Sequence, residues 1–279
     1  MTSAVVRNEA GRRYDGLAER FKTIAGETLP LVESVTELSL PPVVTIRLMA
    51  PRAVRKAHAR RRRRLWRSES FELDASAADM RQGLAVIKAL TKSYRQTWFP
   101  TGAQSVLFTP GQPEIAVVPR ALWEGGVLNN ERFHYTTVAH EATHLAQYAA
   151  TQGKAWAGMD TLVPHLRGIA DRDYGFLLEG HAYWADSQIT TKLLGPPQDS
   201  TWPSPHASLR FKTLATAWKK SKKGDYREHT APSVEAIVDA YGLARFNTVW
   251  ECLPELVPTR AETQTPAEWA HRFSVPAAR

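Results

Sequence analysis

The sequence predicts an α+β fold, mainly helical, with a short β-hairpin or small sheet packed on one central helix. Three observations carry this. Apolar residues recur at helical spacing through several long stretches. Only three short stretches, 43–48, 105–109 and 114–118, read as strands. Proline and glycine fall between these stretches and punctuate them.

In chain order, Tyr14, Leu17, Phe21 and Ile24 define a short helix of about 13–28. A strand over Val43–Leu48 follows the Pro41-Pro42 break. A basic run fills 52–67. Ser76 is the expected N-cap of a helix that carries Met80, Leu84, Ile87, Leu90 and Tyr94 on one face and closes at Pro100 and Gly102. Ser105–Thr109 and Glu114–Val118 form a hairpin around Pro110, Gly111 and Pro113. A loop with Gly125, Gly126, Asn129 and Asn130 leads into a helix over Thr136–Thr151, and a second runs from about Asp173 to Leu194, before Gly195-Pro196-Pro197. After a break at Pro203 and Pro205, helices over 206–220 and 232–242 complete the body. The expected organisation is an appended region, 1–72, holding the basic run, and a catalytic domain, 73–279, that ends in helices.

Composition narrows the function classes. Among 279 residues, 43% are hydrophobic and 23% charged, which is ordinary globular usage. Cys252 is the single cysteine, so an intramolecular disulfide and a cysteine-based zinc site are excluded. The first residues lack an apolar run behind a basic segment, and no stretch is long and apolar enough to span a bilayer. A cytoplasmic protein is the default expectation, with signal-independent export, as of a secreted effector, left open. The net charge of +8 is concentrated: Arg52, Arg55, Lys56, Arg60, Arg61, Arg62, Arg63, Arg64 and Arg67 put nine cations into sixteen residues. Such a run is either a solvated basic helix face or a contact for nucleic acid or an anionic surface. Trp66, the only nearby aromatic, gives little for bases to stack on.

The chemistry lies in His140-Glu141-Ala142-Thr143-His144. On a helix, positions four apart share a face, so both imidazoles converge on one ion. Glu141 then sits within reach of a water at that ion and is the expected general base. Thr136, Val138, Ala139, Ala142, Leu145 and Ala146 make the helix apolar on most sides and hence buried. A third ligand is needed. Gln147 and Ala150 stand where the extended metzincin pattern requires Gly and His, so that subclass is excluded, and the thermolysin-like N-E-x-x-S-D sequence is absent.

The downstream stretch Leu177-Leu178-Glu179-Gly180-His181-Ala182-Tyr183-Trp184-Ala185-Asp186 supplies candidates. Glu179 is flanked by apolar residues, where a carboxylate is costly without a cation or metal, so it is the choice for third ligand. Asp186, His165 and Asp160 are the alternatives. His181 lies about 200° around the helix from Glu179 and cannot face the same ion. Asp186 shares the Glu179 face and either orients His140 or His144 or faces solvent. Tyr183 either donates to an oxyanion or packs in the core. Gly180 is expected to let this helix approach the motif helix. Nothing in the spacing of His134, Tyr135 and His165 assigns them to the site.

On the hairpin, the His140-Glu141-Ala142-Thr143-His144 motif and the downstream Glu179-Gly180-x-Ala182, the chain resembles the gluzincin zinc peptidases, in particular the compact minigluzincins, over about 75–195. The resemblance implies a zincin-like core and a Zn2+ ion on His140, His144 and Glu179. It also implies Glu141 as base, a polypeptide substrate, and an edge strand, sought here in Glu114–Val118, that binds extended peptide. The alternative reading is a zincin-like binding protein without turnover that engages nucleic acid through 52–67.

Overall fold

The computed structural model describes residues 2–98, 102–196, 204–220 and 226–274. Its chain begins with strand β1 (Ser3–Glu9), a 3-10 turn and helix α1 (Asp15–Thr36), then β2 (Val43–Met49) and helices α2 (Pro51–Glu72) and α3 (Ala77–Thr97). The hairpin β3 (Ala103–Thr109) and β4 (Gln112–Val117) follows, with a short α4 (Pro119–Glu124) and the motif helix α5 (Glu131–Ala150). After α6 (Lys154–Asp160) come α7 (Tyr174–Leu194), α8 (Leu209–Lys220), α9 (Tyr226–Tyr241), α10 (Leu243–Asn247) and α11 (Pro266–His271). The fold is α+β and mainly helical, as the apolar periodicity predicts.

The four strands form one mixed sheet in the order β1-β2-β4-β3. β1 runs parallel to β2 and β2 parallel to β4, while β3 and β4 pair antiparallel as a hairpin. Two parallel strands cannot be joined by a tight turn, and α1 supplies the crossover between β1 and β2. Register places Ile46 beside Ile115 and Leu48 beside Val117. These side chains join Phe21, Val138 and Leu145 in the main core, so this face of the sheet carries α1 and α5. The alternate residues Met49, Val106, Ala116 and Val118 point the other way, into a smaller core with Val54 of α2 and Phe211 of α8.

This arrangement revises several expectations. Residues 1–72 are not an appendage. β1 and β2 are half of the sheet, and α1 shares one core with α5 and α7, so a boundary at 72 does not divide the core. α1 runs to Thr36 instead of ending near 28, with Pro30 inside it. A helix-interior proline costs about 3 kcal/mol. Leu29, Val32 and Val35 continue the buried face of Leu17, Phe21 and Ile24 and offset that cost.

In α3 the Ser76 cap is found, as a capping box with Asp79. Its expected apolar face is only partly buried. Gly83 lies flat against the Trp66 ring, where a Cβ would come within 2.5 Å. That contact turns Ile87 inward and leaves Met80, Leu84 and Leu90 at 37%, 54% and 40% exposure. Pro100, Pro197 and Pro203, expected as breaks, lie outside the described residues. The strand Glu114–Val118, sought as an edge, is interior: β4 is paired on both sides and the edge beside the motif helix is β3. No helix among the described residues is long and apolar enough to cross a membrane.

Candidate metal centre

α5 begins at an Asn130 cap, whose side chain accepts from the Phe133 N–H, and α7 begins at an equivalent Asp173 cap. The two helices pack side by side in the main core. Their contact brings His140, His144 and Glu179 together, with one ligand atom from each within 4.8 Å of the others. His140 Nε2 lies 3.2 Å from His144 Nε2 and 3.3 Å from Glu179 Oε2, and His144 Nε2 is 3.7 Å from Glu179 Oε1.

These separations test the fit of an ion. Zinc takes imidazole and carboxylate at about 2.0–2.2 Å in a tetrahedron, so neighbouring donors stand about 3.3–3.5 Å apart. His140 Nε2 stands at about that spacing from His144 Nε2 and from Glu179 Oε2, and His144 Nε2 somewhat further from Glu179 Oε1, so the group could hold a metal ion. The side chains are mostly buried, with Glu179 the most open at 31% exposure.

Each imidazole is held from behind. His140 Nδ1 meets the buried Asp186 carboxylate at 3.1 Å. Asp186, seven residues beyond Glu179, therefore orients a histidine and does not face solvent. His144 Nδ1 donates to Gln147 Oε1 at 2.8 Å, while Gln147 Nε2 donates to the Leu178 carbonyl at 2.9 Å and to His181 Nδ1 at 3.1 Å. These partners fix the tautomer in which each Nε2 points at the shared centre. The sequence reading missed Gln147, noting only that it was not the metzincin glycine. Its signal was available, since a residue three beyond His144 lies on the same helical face.

The charges are mutually tuned. Burial alone would lower the His140 pKa, but the Asp186 and Glu179 hydrogen bonds and the Glu179 charge overcome it and raise it above the ordinary histidine value. Burial would raise the Glu179 pKa, but the His140 hydrogen bond and the His144 and His140 charges bring it below the ordinary carboxylate value. A cation entering here takes the place of a proton, as metal-binding histidines require.

Glu141 is buried beside this group, and Ser105 of β3 anchors it. The Ser105 hydroxyl lies 2.8 Å from Glu141 Oε2 and 2.7 Å from the Glu141 carbonyl oxygen. The sequence marks Ser105 only as the start of a strand. The contact joins residues 36 apart, and no local spacing signals it. Tyr183 stands one turn beyond Glu179, its ring tilted against His140 with centroids 4.6 Å apart.

The other candidates lie elsewhere. His181 is fully buried against Trp184, Phe246 and Trp250, and burial followed by the His144 charge lowers its pKa to about 3. It faces away from the ion site, as its helical angle predicts. His165 pairs with Asp79 at 2.9 Å, Asp160 with Arg61, and the Tyr135 hydroxyl donates to Glu27. His134 is buried against Phe21. Gly180 does not meet the motif helix: it faces α9, where a Cβ would come within 2.9 Å of the Thr230 carbonyl oxygen.

No protein-family model and no curated protein matches this sequence. Among solved structures, a protein from Chloroflexus aurantiacus described as a candidate hydrolase with a novel fold is similar, at a TM-score of 0.60 and 17% sequence identity. The similarity covers 95% of this chain and 92% of that one, and it is a similarity of fold.

Proposed function

We propose that this chain is a metal-dependent hydrolase, and more specifically a zinc peptidase of gluzincin type. The observation that carries the reading is the convergence of His140, His144 and Glu179, one ligand atom of each within 4.8 Å of the others, with the Glu141 carboxylate held beside them by Ser105. The description of the Chloroflexus aurantiacus neighbour as a candidate hydrolase agrees with it.

The donor set suits a zinc ion, which when bound would supply Lewis acidity toward water and a scissile carbonyl. The chain's own groups do the rest. Asp186 and Gln147 hold the two imidazoles in register, and Glu179 adds the anionic ligand. Glu141 takes the proton from the attacking water and returns it to the leaving amine. Ser105 fixes one Glu141 oxygen, which leaves the other free for that transfer. Tyr183, packed on His140, is the group we assign to donate to the oxyanion.

β3 supports a polypeptide as the substrate. It is the sheet edge next to α5, and no strand covers its outer side among the described residues. Arg64 occupies the carbonyls of Leu107 and Phe108 at 3.3 and 2.9 Å, so Ala103–Val106 is the open segment. An extended polypeptide adding there by main-chain pairing would lie alongside Ser105 and Glu141.

The test is Glu141→Gln with a peptide library as substrate. It should keep stoichiometric zinc and lose at least about a hundredfold in turnover. Wild-type turnover in that variant would overturn the mechanism.

A further inference from the structure

The basic run is not one uniform face. Arg61 is taken by Asp160, and Arg64 by the β3 carbonyls. Arg60, Arg63 and Arg67 are exposed on the outside of α2. Arg52, Arg55, Lys56 and Arg62 fall at helical spacing on another side of α2. With Ala59, and with Thr91 and Tyr94 of α3, they line a cavity of about 380 Å³. No carboxylate lines it. The Arg55 Nε is buried without a hydrogen-bond partner, and Arg62 lies over the Tyr94 ring at 5.7 Å from its centroid.

Four cations gathered on one small concavity repel one another, a repulsion that an anionic guest would relieve. We propose that this cavity is a binding site for a small, multiply charged phosphate ester or phosphoanhydride. Its volume falls within the range of small-ligand pockets. Thr91 and Tyr94 add hydroxyl groups to the cationic wall, and guanidinium forks match phosphate oxygens in pairs.

A nucleic-acid strand fits less well in this cavity, because no free aromatic platform lines it; the exposed Phe71 of α2 lies outside its wall. Trp66 is buried, and the Tyr94 ring is already covered by Arg62 and His58. The site is also separate from the metal centre. Gln104 of β3 bonds Tyr94 and His58 on this side of the sheet, whereas the next residue, Ser105, bonds Glu141 on the other.

The test is calorimetric titration of the full chain with inorganic pyrophosphate at fixed salt. A parallel titration of His140→Ala/His144→Ala removes any heat from metal chelation. Two double variants each delete two positive charges: Arg55→Gln/Arg62→Gln inside the cavity and Arg60→Gln/Arg63→Gln outside it. Saturable binding that weakens about tenfold or more in the first and less than about twofold in the second supports the site. Circular dichroism checks folding, and Arg52→Gln/Lys56→Gln, both solvent-accessible, serves if the first variant does not fold. Equal weakening by the inner and outer variants would reduce the run to diffuse attraction, the behaviour expected of a nucleic-acid face, and overturn the proposal. So would a wild-type chain that shows no saturable binding. Phosphatidylcholine vesicles carrying a phosphorylated inositol lipid form a second arm: retention that pyrophosphate competes away assigns the phosphate to a lipid headgroup instead of a soluble molecule.

Discussion

Replacing Gln147 by Leu tests whether the metal centre depends on what stands behind its histidines. The two side chains are close in size, so the change removes polarity and leaves volume nearly constant. Three hydrogen bonds go: to His144 Nδ1 at 2.8 Å, to the Leu178 carbonyl at 2.9 Å and to His181 Nδ1 at 3.1 Å. The Leu178 carbonyl lies within α7 and has the helix ladder to fall back on. The two ring nitrogens do not, and each buried group left unpaired costs about 1–3 kcal/mol. The metal-free protein should therefore lose about 2–6 kcal/mol in urea unfolding. His144 also loses the partner that fixes its tautomer, so zinc affinity should fall about 10–100-fold, equivalent to about 1.4–2.7 kcal/mol. A competitive chelator titration reads the second quantity, and the unfolding curve of the metal-free chain reads the first. Unchanged zinc affinity beside lower stability would make Gln147 a core residue without a role in the site. Unchanged stability would mean the network is not formed at all.

Three further outcomes follow from the same geometry. Ser105→Ala should retain zinc but lower kcat/KM for a peptide substrate about 10- to 150-fold, because a hydrogen bond to a charged group is worth about 1.5–3 kcal/mol; wild-type kinetics would remove Ser105 from the mechanism. Gly180→Ala should destabilise the fold by about 1–2 kcal/mol in a denaturant melt, since its methyl meets the Thr230 carbonyl while helix propensity returns about 1 kcal/mol; a stabilised variant would refute the α7–α9 contact. His134 is buried, and burial, then the Arg20 charge, lowers its pKa from 6.5 to about 4. The folded state therefore binds this proton less tightly than the unfolded state. Its contribution is complete above pH 6.5 and is lost as pH falls through the window from 6.5 to 4. At pH 5 the loss is about 2 kcal/mol, and it should be missing from His134→Phe, whose pH-stability profile would be flatter than wild type by that amount.

How much of this was legible depended on the range of the signal. The motif helix, the hairpin and α7 could be read because periodicity and caps such as Ser76 and Asp173 act within a few residues. β1 could not. Its exposure alternates, but Arg7, Asn8 and Glu9 fill half of a strand at the sheet edge, where no apolar run is demanded. The length of α1 was hidden by Pro30, which normally ends a helix and here is outweighed by burial on both sides of it. The apparent division at 72 had a related cause. A nine-cation run looks foreign to a core, yet Val54, His58, Trp66 and Glu69 of the same helix are buried, and its charges are sorted around them.

The metal site shows where local reading ends. His140 and His144 are coupled by one turn of helix, so their convergence is guaranteed wherever α5 forms. Glu179 is different. Its costly apolar setting marked it, but it reaches the two histidines only because α7 packs beside α5. With Gln147 facing inward to bind α7 at Leu178 and His181, the segment just after the motif helps fix that packing instead of extending the ligand set. The proposed third ligand is thus a product of tertiary structure, and metal affinity and the stability of the α5–α7 contact should be linked. A ligand that binds only the docked pair stabilises it in proportion to its affinity. Zinc should therefore raise the unfolding midpoint of the wild type, and should raise it less in Glu179→Ala, where two histidines four residues apart can be offered by an isolated helix as well as by the fold.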